Sequence, residues 1–98
     1  MMDRPTILSN ADRSRALEAL SGWDYSAGQK AISKTFKFAD FSEAWSFMNR
    51  AALLAEKIDH HPEWFNVYNR VEVKLTTHDA DGVTELDIQM ATAMEGFC

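Results

Sequence analysis

Cysteine is almost missing from this chain of 98 residues, where Cys98 is the only one. A single thiol excludes an internal disulfide and is compatible with a reducing compartment. Basic residues are also in short supply. Ten Lys and Arg stand against fifteen Asp and Glu, for a formal net charge of -5 and a pI near 5.0. No Lys/Arg cluster supplies the countercharge that a phosphate backbone requires, so nucleic acid is not expected as a direct partner. No apolar run approaches the roughly 18 residues of a membrane span, and Met1-Met2-Asp3-Arg4-Pro5 lacks an apolar signal core. No membrane partner is expected, and a soluble cytoplasmic protein is the default. What remains is ordinary globular material: 46% of the residues are apolar, which argues against disorder. Without repeats or linkers, residues 1–98 read as one domain.

The spacing of polar and apolar residues sets out the elements. Met1 to Leu8 reads as a loosely held lead-in. Ser9 with Asp12 three positions on is a capping pattern, and Ala16, Leu17 and Leu20 continue it as a helical stripe, predicting a helix from about Asn10 to Leu20 that stops near Gly22. Two short strands joined through Gly28 form a hairpin. The second, Ala31 to Phe38, sets Ile32, Phe36 and Phe38 on one face and Ser33, Thr35 and Lys37 on the other, with Lys34 breaking the alternation. Asp40 and Glu43 open the longest helix. Its stripe of Phe41, Ala44, Trp45, Met48, Ala51, Ala52, Ala55 and Ile58 assigns Trp45 and Met48 to the core, and Pro62 is expected to stop it beyond His60.

Two strands follow, at about Trp64–Tyr68 and Val71–His78. The second places Val71, Val73, Leu75 and Thr77 on one face and Glu72, Lys74, Thr76 and His78 on the other. Hydrophobic matching favours a three-residue loop that sets Phe65 and Val67 beside the valines. The competing two-residue turn at Asn69-Arg70 sets Trp64, Asn66 and Tyr68 there. Thr84-Glu85-Leu86-Asp87 is a second capping box, opening a helix with Leu86, Ile88, Met90, Ala91, Met94 and Phe97 on its apolar side. On spacing alone Asp87 is a helix N-terminal carboxylate, and Gly82 serves the turn before it. The order αββαββα predicts an α+β fold, a four-stranded, largely antiparallel sheet with three helices on one side.

All three histidines lie between Glu56 and Asp87: His60 and His61 before Pro62, and His78 beyond the hairpin. A helix C-terminus favours an imidazolium by about 0.3–1 kcal/mol, which accounts for a lone histidine there. Two adjacent histidines and a third at the end of a later strand call for more. Pro62 disfavours the helical conformation at His61, so the two rings can point differently. Glu56, four residues before His60, shares its helical face if the helix reaches that far. Three chemistries fit the set. Histidines with a carboxylate are acceptable zinc ligands, but no His-x-x-x-His pair occurs. Nucleophilic catalysis lacks a Ser or Cys placed beside a histidine base. Proton transfer by imidazole needs neither, and it is the preferred reading.

The run Glu56-Lys57-Ile58-Asp59-His60-His61-Pro62-Glu63-Trp64-Phe65-Asn66-Val67-Tyr68-Asn69 closely resembles the pterin-4a-carbinolamine dehydratase family, some of whose members are dimerisation cofactors of a homeodomain transcription factor. Val71, Val73, Leu75, Thr77-His78, Gly82, Thr84 and Asp87 extend the likeness downstream. Upstream it takes in Gly22-Trp23, Phe36, Phe38-Ala39-Asp40-Phe41 and Phe47-Met48-Asn49-Arg50. Val83, where leucine is common, is a mild departure. The resemblance implies dehydration of a 4a-hydroxytetrahydropterin to quinonoid dihydropterin, with His60, His61 and His78 catalytic. Glu56, Trp23, Pro62 and Asp87 then bind or orient the substrate, and no metal or organic cofactor is implied. It also implies a homo-oligomer, dimer or tetramer, and a functional link to an aromatic amino-acid hydroxylase. The competing expectation is a non-catalytic binding module or transcriptional coactivator acting through the oligomer-forming helical surface.

Overall fold

The computed structural model describes residues 5–98. Helix α1 (Asn10–Glu18) is followed by β1 (Asp24–Ser26), β2 (Ala31–Lys37), α2 (Phe41–Ile58), β3 (Glu63–Val67), β4 (Arg70–Leu75), a short 3-10 turn (His78–Ala80) and α3 (Glu85–Gly96). The four strands make one antiparallel sheet in the order β1-β2-β4-β3. This is the expected α+β fold and element order. No helix among the described residues is long and apolar enough to cross a membrane.

Capping residues set the helix starts. Ser9 Oγ accepts the Asp12 N–H at 3.1 Å, and Asp40 Oδ1 accepts the Glu43 N–H at 2.9 Å. Each such cap stabilises its helix by about 1 kcal/mol. The core lies between the sheet and α2 and α3, where Ile32, Phe36, Val71, Val73 and Leu75 meet Phe47, Ala51, Met90 and Met94. Burying one large side chain of this kind contributes about 1.5–3 kcal/mol. The opposite face carries Thr35, Lys37, Glu72, Phe65 and Val67, all exposed.

Four expectations need correction. Part of the lead-in, Met1 to Arg4, lies outside the described residues. The rest is tied down, with the Leu8 N–H donating to the Val83 carbonyl at 2.9 Å. On α2, Trp45 is 56% exposed and Phe47 takes the core position, while Met48 packs half-buried against the core as expected. Ala44, Ala51 and Ala55 let this side of the helix lie close to the sheet, and Trp45 projects about 100° away from Ala44. The β3–β4 connection has two residues, Tyr68-Asn69, so that Trp64 and Asn66 stand opposite Val73 and Val71. Asn66 Nδ2 fixes this register by donating to the Tyr68 and Arg70 carbonyls at 3.2 and 2.8 Å. Tyr68 adopts a left-handed φ of 50° to close so short a link. Finally, Lys34 is not an interruption of β2. It sits opposite Val73, and its amine leaves the core edge to reach Glu95.

Candidate active site

Helix α2 ends sooner than Pro62 alone would dictate. Asp59 takes a left-handed conformation (φ 51°, ψ 45°) and its N–H caps the Ala55 carbonyl. The chain turns there, so His60 leaves the helical face that Glu56 occupies. Glu56 Oε1 instead meets His61 Nε2 at 2.7 Å, which corrects the expected pairing of Glu56 with His60. Both partners of this contact are exposed.

His60 points inward and is only 8% exposed. Its Nε2 lies 2.6 Å from Asp87 Oδ1 on the first turn of α3. Asp87 is fully buried, and its second oxygen accepts the Thr84 N–H at 2.9 Å and the Thr77 hydroxyl at 2.8 Å. The helix-capping role read from sequence therefore holds for Asp87. The same carboxylate also anchors a histidine 27 residues earlier in the chain.

His78 stands beyond β4 rather than within it, on the first position of the 3-10 turn, with its side chain 83% exposed. Its Nε2 lies 3.5 Å from Glu63 Oε2, at the start of β3 and two residues past His61. The loop that carries it is pinned at both ends, for Thr77 and Gly82 exchange backbone hydrogen bonds at 2.9 and 3.3 Å. The two histidine-bearing segments thus meet through the His78–Glu63 contact, with His60 buried and His61 and His78 exposed. Among the described residues no three His, Cys, Asp or Glu side chains converge as a metal-binding group. An open hollow of about 630 Å³ on the sheet is lined by Glu63, Trp64 and Lys74 among others, and by none of the three histidines.

The remaining candidates behave differently. Pro62 is half-buried and links the histidine pair to β3. Trp23 is a core residue in the single chain, 5% exposed. It packs edge-on against Phe36 and donates its indole N–H to Glu95 Oε2 at 3.0 Å. Glu63 and Thr77 were not singled out from sequence. Thr77 carried a signal, a hydroxyl on the row otherwise formed by Val71, Val73 and Leu75. Glu63 carried none beyond its nearness to Pro62.

This geometry suits proton transfer: one ring held by a buried carboxylate, and two open to a ligand. The model of the family described as pterin 4 alpha carbinolamine dehydratase matches residues 6–97. The chain belongs to that family. A relative from Novosphingobium aromaticivorans with a provisional pterin-4-alpha-carbinolamine dehydratase name is 62% identical over 90 residues, covering 92% of this chain and 94% of the relative. One from Brucella ovis, provisionally named in the same way, is 59% identical over 90 residues, covering 92% and 93%. The crystal structure of a transcriptional coactivator/pterin dehydratase from Brucella melitensis superposes with a TM-score of 0.91 at 55% identity, covering 94% of this chain and 98% of that one. A pterin dehydratase-like RuBisCO assembly factor of the alpha-carboxysome shares the fold at a TM-score of 0.67 and 18% identity, covering 78% and 88%. The pterin dehydratase fold is therefore common to both neighbours, and the higher identity lies with the dehydratase-named proteins.

Proposed function

We propose that this chain dehydrates a 4a-hydroxytetrahydropterin to quinonoid dihydropterin, with His60, His61 and His78 as its acid and base groups. The observation that carries the reading is the full histidine set in a member of the dehydratase family, with His60 anchored on Asp87 and the other two rings accessible. In the reaction a proton reaches the C4a hydroxyl, the C4a–O bond breaks, and water leaves. The N5 lone pair forms the C4a–N5 double bond and the N5 proton departs, so water is lost without oxidation or reduction. Imidazole side chains can both give and take a proton, and positioned acid and base groups contribute about 10²–10⁴-fold in rate. His60 and His78 act as the acid–base pair. His61, held by Glu56, positions the pterin and helps protonate it, and Pro62 leads the chain from His61 into β3. The substrate comes from an aromatic amino-acid hydroxylase, and the enzyme works in the cytoplasm.

The test is carbinolamine dehydration by the purified protein. Single replacements of His61 and of His78 by Ala are expected to lower kcat/KM by about 10²-fold or more. Turnover within about threefold of the parent in either variant defeats this assignment.

One observation favours a second role. Phe41, Trp45 and Leu53 are large apolar side chains of α2 that stand about half exposed or more, and exposed apolar surface of this kind marks an interaction site where it is contiguous. It supports a homo-oligomer, dimer or tetramer, built through α2, and the same surface suits a coactivator's partner helices. An assembled but inactive protein would favour the binding reading over the enzymatic one.

A further inference from the structure

We infer that Thr77 and Thr84 are positioning residues that lock His60 in a single tautomer and leave its Nδ1 as the nitrogen available for proton transfer. The inference rests on the dehydratase reading for its chemical use, but its structural basis is independent of it.

The hydroxyl order follows from counting donors. Thr77 Oγ1 lies 2.8 Å from Asp87 Oδ2 and 2.7 Å from Thr84 Oγ1, and it has one proton. A carboxylate oxygen only accepts, so the Thr77 proton goes to Asp87. Thr84 must then donate to Thr77, while Thr84 Oγ1 accepts the Leu86 N–H at 3.2 Å. With the Thr84 N–H also on Oδ2, that oxygen is fully occupied. Asp87 Oδ1 is left facing His60 Nε2 at 2.6 Å. An ionised Asp87 accepts there as well, which puts a proton on His60 Nε2 whether the ring is neutral or charged.

The other ring nitrogen is the free one. No side chain or backbone group among the described residues hydrogen-bonds His60 Nδ1. It is also not a sealed orphan, because among the described residues Arg70 Nε is the only fully buried side-chain nitrogen or oxygen without a partner. Nδ1 therefore keeps some access to solvent, on a ring that is 8% exposed. The two threonines touch neither His60 nor a ligand. They act through Asp87, by occupying Oδ2 and turning Oδ1 to the ring.

The experiment is nitrogen-15 NMR of histidine-labelled full-length protein at neutral pH, with the three rings assigned through His61→Asn and His78→Asn. His60 is expected as the Nε2–H tautomer with a proton protected from exchange. Thr77→Val, close in shape but unable to donate, should weaken that signature and lower kcat about tenfold or more with little change in KM, whereas Thr77→Ser restores both. Asp87→Asn should invert the tautomer to Nδ1–H, because the amide can present N–H to the ring. A parent protein with His60 protonated at Nδ1 alone overturns the inference, and so does a Thr77→Val protein with unchanged signature and turnover. If the parent shows the Nε2–H signature but no dehydration, the dehydratase reading fails and the tautomer lock stands.

Discussion

Lys34 Nζ lies 2.7 Å from Glu95 Oε2 across the edge of the core, joining the inner face of β2 to the last turn of α3. The same carboxylate oxygen accepts the Trp23 indole N–H, and Lys34 also donates to the Ser21 carbonyl at 3.0 Å. Both charged side chains are partly buried. Glu95→Ala strands an ammonium and an indole N–H at once, and is expected to lower unfolding stability by about 1–3 kcal/mol in urea titrations. Lys34→Met in the Glu95→Gln background keeps an acceptor for Trp23 and removes the stranded charge. It should recover at least half of the loss.

The two carboxylate–imidazole contacts should differ sharply in their effect on stability. Asp87→Ala empties a buried site that holds His60, Thr77 and the Thr84 N–H, with an expected loss of about 3–5 kcal/mol. Glu56→Gln alters an exposed pair and should change stability by less than about 1 kcal/mol. Chemical denaturation of the two variants side by side checks the ranking; equal losses would refute it.

An added Cβ at Gly82 would meet Ile7 Cγ1 at 2.9 Å unless Ile7 moves. Ile7 is exposed and its end can yield. Gly82→Ala is therefore expected to cost less than about 1 kcal/mol in chemical denaturation. A larger loss that Ile7→Ala does not relieve would show that the side-chain contact is not its cause.

Trp45 is a large apolar side chain left open on α2. Trp45→Glu should yield a smaller species than the parent in light scattering after size exclusion, with the far-UV spectrum unchanged. A parent that already elutes as a monomer removes the basis for an α2-built assembly.

Cys98 titrates above its ordinary value of 9.0, chiefly through burial and then through the Glu95 carboxylate, against a smaller opposing effect of Lys34. A raised thiol pKa means less thiolate at pH 8, so iodoacetamide should alkylate Cys98 more slowly than a free cysteine. Glu95→Gln removes one of the two causes and should speed the reaction at that pH.

Much of this was legible in the chain because it depends on neighbours in sequence. The helix caps at Ser9 and Thr84, the alternation of β4 and the stop near Gly22 follow from contacts spanning a few residues. The reading of α2 failed at Trp45 because two adjacent stripes fit its periodicity. Only the sheet's position selects the one with Ala44, Phe47, Ala51 and Ala55. The hairpin reading failed because hydrophobic matching took no account of Asn66, whose amide ties the turn from the valine side.

By itself the sequence determined the order of helices and strands, the helix starts, and the grouping of His60, His61 and His78 between Glu56 and Asp87. Tertiary structure alone decided which carboxylate each imidazole meets. Asp59 turns left-handed and swings His60 off the helix, so the nearby Glu56 reaches His61 while α3 delivers Asp87 to His60 from 27 positions away. Proximity along the chain is a guide only while the backbone keeps its helical path, and here the backbone leaves that path at Asp59, one residue before His60.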